Sequence, residues 1–401
     1  MKLKTFLLGT ALAGLFAGAA EAQVSVKIGV LNDRSGLYAD ISGEGSAVAA
    51  RMAAEDFKAK DKGINVDIIS ADHQNKPDVG SNIARQWYDT DGVDVITDVP
   101  TSSVALAINQ ITKEKNKVFL NSGAASSDLT GKACSPNTLH WTYDTYALGQ
   151  GTGGAMVKAG GDTWFFLTAD YAFGHALERD TEAVVTKNGG KVLGKVRHPF
   201  PGQDFSSFLL QAQASKAKVI GLANAGGDTI NSIKQAGEFG IVAGGQKLAG
   251  LLVFSSDVQA LGLQTAQGLV LTESFYWDLN DQTREFSKRF GEKFQGKVPT
   301  MVQAGVYSAI LHYLKAVEAT KSKDPEKVLA KMREMPTDDP VFGKGSVRAD
   351  GRKLHPMYLF EVKKPAESKG KNDLYKLVAT LPAETAFRPL AESECPLVKK
   401  S

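Results

Sequence analysis

The residue types that most often do chemistry are thinly spread in this chain. Its six histidines, His73, His140, His175, His198, His312 and His355, stand singly, and none has the paired helical spacing that grips zinc. No Gly-x-Ser-x-Gly elbow is present. The run Gly149-Gln150-Gly151-Thr152-Gly153-Gly154 matches the dinucleotide fingerprint as a string. That fingerprint needs a strand directly before it, whereas Asp144-Thr145-Tyr146 reads as a helix start. The run is better read as a helix whose small face packs closely on a neighbour. Gly291 to Lys297 has the outline of a phosphate loop, but Val298 stands where a Ser or Thr is required. No catalytic residue, metal site or cofactor is expected from these patterns.

Binding is the chemistry that remains, and its residues cluster after short apolar runs. In open α/β sheets ligands bind beyond the carboxyl ends of the strands. One half of the chain offers Asp33 to Tyr38, Pro100-Thr101-Ser102-Ser103 at a helix start, and Asn121 to Ser127. The last two are rich in small and hydroxyl residues. Small side chains leave backbone N–H groups accessible, and a helix N-terminus carries partial positive charge, so together they suit a carboxylate. Ordinary helix capping by Ser102 or Ser103 is the plainer reading, and both can hold. The other half offers Asp170-Tyr171-Ala172-Phe173-Gly174, Asn224-Ala225-Gly226-Gly227-Asp228 and Phe254-Ser255-Ser256-Asp257. Aromatic walls with a few polar groups are what a small-molecule cleft needs. Tyr276 and Trp277 belong either near a hinge or to plain lobe packing.

The elements that position these loops alternate strand and helix. Strands are read at 26–31, 66–69, 93–96 and 118–120, with helices at 45–60, 79–88 and 103–115 between them. After a helix over 149–158 the pattern restarts. Strands fall at 163–167, 191–196, 219–222, 251–254 and 268–271, and helices at 176–188, 205–215 and 229–239. Such alternation argues parallel sheets covered on both faces. Helices near 281–295, 300–320 and 325–335 follow, then β-rich stretches at 345–348, 357–362 and 375–378. The polar stretch 363–373 reads as a mobile hairpin tip.

The first residues carry an address. Lys2 and Lys4 precede the apolar run Phe6 to Phe16, and Ala20-Glu21-Ala22 is the small-x-small pattern of signal peptidase cleavage. The run is short for a membrane span of about 20 residues. Export to the periplasm with cleavage near Ala22, before Gln23, is expected. The formal charge of +3 drops by one when Lys2, Lys4 and Glu21 leave, too little to argue for nucleic acid. Only Cys134 and Cys395 are present. In an oxidising compartment a disulfide is favoured over a metal site, with free buried thiols as the alternative. The bond would tie the tail to the hinge side.

Taken in order, these residues resemble the periplasmic solute-binding proteins of the branched-chain amino acid type, receptors of ATP-driven (ABC) importers. The resemblance is carried by Ile28-Gly29-Val30-Leu31 with Ser35-Gly36, Ala49 to Ala53, Thr101-Ser102-Ser103, Ser122 to Ser126 with Leu129-Thr130, Asp170 to Gly174, Lys234-Gln235-Ala236 and Gly268-Leu269. It implies an α/β, type I periplasmic-binding-protein fold: two Rossmann-like lobes joined by three hinge crossings near residues 143, 273 and 349. One lobe would comprise 23–142 plus 274–349, the other 143–273 plus 350–401. It implies a monomer that delivers a carboxylate-bearing solute to permease subunits in the inner membrane; a sensor feeding a membrane receptor is the alternative. By the family's pattern, the Ser102 hydroxyl, the Ala124 backbone and Ser126 would grip the carboxylate, with Asn224 and Gly226 in a further ligand loop, while Ser103 at the same helix start is a ligand-binding candidate from its position. The acidic partner of a ligand amino group should fall near Ser256, where Asp257 is the available acid. This departure shifts the likeness toward members that take up aromatic acids, with Tyr38, Tyr171, Phe173 and Phe254 as ring contacts.

Overall fold

The computed structural model describes residues 23–399. The expected signal segment and its cleavage site at Ala22 lie outside the described residues. The first sheet is built from β1 (Val24–Asn32), β2 (Ile64–Asp72), β3 (Val95–Asp98), β4 (Val118–Asn121) and β5 (Thr138–His140). They run parallel in the order β2-β1-β3-β4-β5. Between them run α1 (Gly43–Phe57), α2 (Pro77–Asp89) and α3 (Ser102–Glu114). On one face Leu31, Ile96 and Phe119 pack on Trp87, Val104 and Ile108. On the other, Ile28, Val30 and Leu120 join the main core. β1, β3 and β4, buried on both faces, read as near-continuous apolar runs, whereas β2 is a half-exposed edge strand.

A helical stretch then turns the chain toward the second sheet. It runs over 145–158, with a wider π turn at Gly149–Gly153, and the Asp144 carboxylate caps it by accepting from Ala147 N (2.8 Å). The glycine run that resembles a dinucleotide fingerprint is this packed helix. A Cβ on Gly151 would lie 2.3 Å from Thr272 Oγ1, so only glycine permits the approach.

The second sheet takes β6 (Thr163–Ala169), β7 (Lys191–His198), β8 (Val219–Ala223), β9 (Lys247–Gly250) and β10 (Val270–Glu273). Its helices are α4 (Ala172–Lys187), α5 (Ser206–Ala214), α6 (Gly227–Glu238) and α7 (Ser255–Leu261). The apolar run Leu251 to Phe254, expected as a strand, is not one. The strand is β9, just before it, and the run leaves the sheet as a buried loop. An apolar run records burial, and here the burial comes from the space between the sheets.

The chain returns to the first sheet with α8 (Asp281–Lys293), α9 (Met301–Thr320) and α10 (Pro325–Glu334). Helix α9 lies along α1 and is buried over nearly its whole length. Among the described residues no helix is long and apolar enough to cross a membrane. A small antiparallel ribbon of β11 (Thr337–Asp339), β12 (Gly343–Val347) and β13 (Lys353–Leu354) follows. β14 (Met357–Val362) and β15 (Tyr375–Leu381) complete the second sheet, ordered β15-β14-β10-β9-β8-β6-β7. Because β13 pairs with β12 and Arg352 bridges His140, residues 350–354 stay beside the first sheet.

The tip 363–373, expected to be mobile, is tied down. The Asn372 carbonyl accepts from Tyr276 Oη (2.8 Å) and Trp277 Nε1 (2.7 Å). These two aromatics thus clasp the hairpin just beyond β10. The Cys134–Cys395 disulfide is formed, with its Cα atoms 5.5 Å apart. It fastens the tail beside the first sheet.

Candidate functional site

Between the carboxyl ends of the two sheets lies a narrow cavity with walls from both sides. Each wall follows a strand. Tyr38 and Ile41 come after β1, Pro100 after β3, Gly123 and Ala125 after β4, and Tyr143 after β5. From the other side come Tyr171 and Phe173 after β6, Ala225 after β8, and Leu252 and Phe254 after β9. Five of these side chains are aromatic and none is charged. Tyr143 meets Phe254 edge-on at 6.2 Å, and Tyr171 lies 5.9 Å from Phe173.

Local chemistry fixes the loops. Asp33, wholly buried, accepts from Gly36 N (2.7 Å), Tyr38 N (2.8 Å) and Asn75 Nδ2 (2.6 Å), which folds the turn that presents Tyr38. At the end of β3, Asp98 and Val99 take positive φ, +80° and +57°. For a β-branched valine this is a strained backbone, costing on the order of 1–3 kcal/mol. It is held by Val99 N donating to the Leu31 carbonyl and Gly123 N to the Asp98 carbonyl, both 3.0 Å. The strain delivers Pro100 to the wall and starts α3 beside it, with no side chain capping that helix's first N–H groups. Tyr143 Oη donates to the Gly123 carbonyl (2.6 Å) and pins the facing loop.

The two sides meet. The hydroxyls of Tyr38 and Tyr171 lie 2.6 Å apart and share a hydrogen bond. Phe200 stacks on Tyr171 at 4.0 Å and stands 5.9 Å from Tyr38. Gly226, at φ +56°, passes so close to the first side that a Cβ there would sit 2.6 Å from the Leu37 carbonyl and 3.0 Å from the Tyr38 ring. Burial pushes the hydroxyls of Tyr38, Tyr143 and Tyr171 well above the usual tyrosine range, so they stay protonated.

Of the residues expected from sequence, Tyr38, Tyr171, Phe173 and Phe254 line this cavity together. The others are placed differently. Ser102 Oγ is buried and accepts from Ser126 N (3.2 Å), while Ser126 Oγ accepts from Asp128 N, so the two serines hold one loop to another. Ser103 sits half-buried in the first turn of α3 and is not on the wall. Ala124 faces the packing of α2 and α3, with its carbonyl accepting from His140 Nε2 and Asn121 Nδ2 (2.8 Å each). Its neighbour Ala125 is the lining residue. Asn224 is spent on Ser232, Thr229 and His198. Gly226 marks close approach between the sides and is not itself on the wall. Asp257 caps its own helix, accepting from Phe254 N at 3.0 Å, and burial pushes its carboxyl up to about 7. Asp257 is not among the residues that line the cavity. Ile41, Tyr143, Leu252 and Phe200 were not foreseen. Tyr143 follows β5 as the other lining residues follow their strands, and that position was the available signal.

A family model described as periplasmic binding protein matches residues 25–371. A periplasmic binding protein from Burkholderia mallei is 53% identical, with a TM-score of 0.91 over 94% of this chain and 99% of that one. A branched chain amino acid ABC transporter periplasmic ligand-binding protein from Burkholderia xenovorans LB400 is 44% identical, with a TM-score of 0.84 over 93% of this chain and 100% of that one. An ABC transporter solute binding protein from R. palustris, in complex with benzoate, is 22% identical, with a TM-score of 0.79 over 90% and 97% of the two chains. At that identity the last likeness extends to the fold alone.

Proposed function

The chain belongs to the periplasmic binding protein family, with its type I fold, and we propose that it captures a small aromatic carboxylate between its lobes for an ABC importer. One observation carries the choice of solute. The cavity wall holds five aromatic rings and no charged side chain among the described residues. A ligand ammonium buried there would need a carboxylate partner to offset its desolvation. Asp257, the acid available near the expected position, caps its own helix and is not on the cavity wall. A carboxylate can instead be met by N–H groups at the uncapped start of α3 and in the loop around Ala125. A flat apolar body then fits among Tyr38, Tyr143, Tyr171, Phe173 and Phe254.

The lobes are read as residues 23–142 with 274 to about 354, and 143–273 with the remainder. They close on the ligand about the passages near 143, 273 and 355. The expected signal at residues 1–22 serves export to the periplasm, and a monomer handing its solute to inner-membrane permease subunits completes the reading. No catalytic role is assigned. A melting-shift screen of the mature chain tests the solute. Benzoate- and cinnamate-type acids are expected to raise the melting temperature and leucine to leave it unchanged. The reverse pattern overturns the aromatic assignment and restores an amino acid.

A further inference from the structure

We infer that the Tyr38–Tyr171 hydroxyl pair reads a second polar group on the ligand, a hydroxyl or carbonyl oxygen distinct from its carboxylate, and couples that group to lobe closure. This rests on the aromatic-carboxylate reading above. Tyr38 stands on the loop after β1 of the first sheet and Tyr171 on the loop after β6 of the second, so the pair spans the cleft. A phenolic hydroxyl offers one hydrogen and can also accept. The bond at 2.6 Å uses one hydrogen of the two, and neither hydroxyl makes another hydrogen bond among the described residues. One donor is therefore left over at the wall of an otherwise apolar cavity. Tyr38 is only 4% exposed and Tyr171 is half-buried, so when the hydrogen left over is that of Tyr38 it is shielded from bulk water. A buried donor without an acceptor is costly, and a site built this way favours the ligand that supplies one.

The neighbourhood keeps the pair in place. Phe200 stacks on the Tyr171 ring at 19° and approaches Tyr38 as well, which limits how far either hydroxyl can swing. The protonated state is secured by burial, so the spare group is a donor at physiological pH. An acceptor placed against the pair is held by residues of both lobes at once. A ligand lacking it fills the cavity but leaves the donor unmet when the lobes close.

Matched probes test this on the mature chain by calorimetry: benzoate against 3- and 4-hydroxybenzoate, and cinnamate against 4-hydroxycinnamate. The wild type is expected to bind at least one hydroxylated acid about tenfold or more tighter than its parent. In Tyr38→Phe and Tyr171→Phe, each checked for folding by its melting curve, that ratio should fall to within about threefold of one. Equal affinities in the wild type, or a preference kept in both variants, overturn the inference and leave the aromatic-carboxylate reading standing. Loss of all acid binding in both variants also counts against it, because the pair would then be holding the ring and not reading its substituent. Failure of the wild type to bind any of these acids overturns both.

Discussion

Asp257 shows how a residue can have the right type and the wrong task. Its position in sequence suits a partner for a ligand amino group, yet its carboxylate accepts from Phe254 N and closes the first turn of α7. Burial is the main cause that lifts its carboxyl from the ordinary range to about 7. The folded protein thus holds this proton where the unfolded chain has released it. Its contribution to stability is fully present below about pH 4 and is lost as pH rises through about 7. Asp257→Asn keeps an acceptor for Phe254 N and removes the titration. The variant's melting temperature, relative to wild type, should therefore climb between pH 5 and pH 8. A difference that stays flat over that range would show that the buried carboxyl does not titrate there. Residue type and position were readable in this case, but the hydrogen bond that occupies the side chain was not.

Among the elements, the carboxyl ends of the strands do the positioning, and this much was legible. Tyr38, Tyr171 and Phe173 each follow a strand that its apolar run announced, Phe254 ends the apolar run that leaves β9 as a loop, and all four reach one cavity. What stayed hidden was register within loops. Ala124 and Ala125 are chemically identical, and only the path after β4 decides that the second faces the cavity and the first the α2–α3 packing. Phe200 was hidden for another reason: it follows β7 and reaches the cleft only by stacking on Tyr171. Gly226 was singled out as a ligand residue, and its place is instead where α6 begins against Leu37 and Tyr38. A side chain there props the two sides apart and also strains a left-handed backbone. Gly226→Ala should weaken ligand binding by about tenfold or more, a cost of 1.4 kcal/mol or above. Calorimetry would measure it, and X-ray scattering with ligand should show a larger radius than wild type. Unchanged affinity would mean that the lobes need not approach this closely.

At the scale of the molecule, the tail braces elements of both sheets. Cys395 is bonded to Cys134 beside the first sheet, while Arg388 pairs with Asp180 on α4 of the second (3.0 Å). Phe387 packs against His355 and Arg352. The bond joins residues 261 apart, for which the chain-entropy model gives stabilisation on the order of 5 kcal/mol. Cys134→Ala with Cys395→Ala should lose a large part of that in urea unfolding, and mapping of the non-reduced protein should recover the linked peptides. Two free thiols would refute the brace. The alternation of strands and helices made the two sheets legible before any coordinates. The return of α8 to α10 to the first sheet was not visible in that alternation, and the family resemblance supplied it. The solute is the part of the account most exposed to test. Titration calorimetry of the mature chain with benzoate- and cinnamate-type acids and with leucine is the direct measurement: the account predicts one-to-one binding of an aromatic acid and no heat from leucine, and tight leucine binding with silent aromatic acids would contradict it.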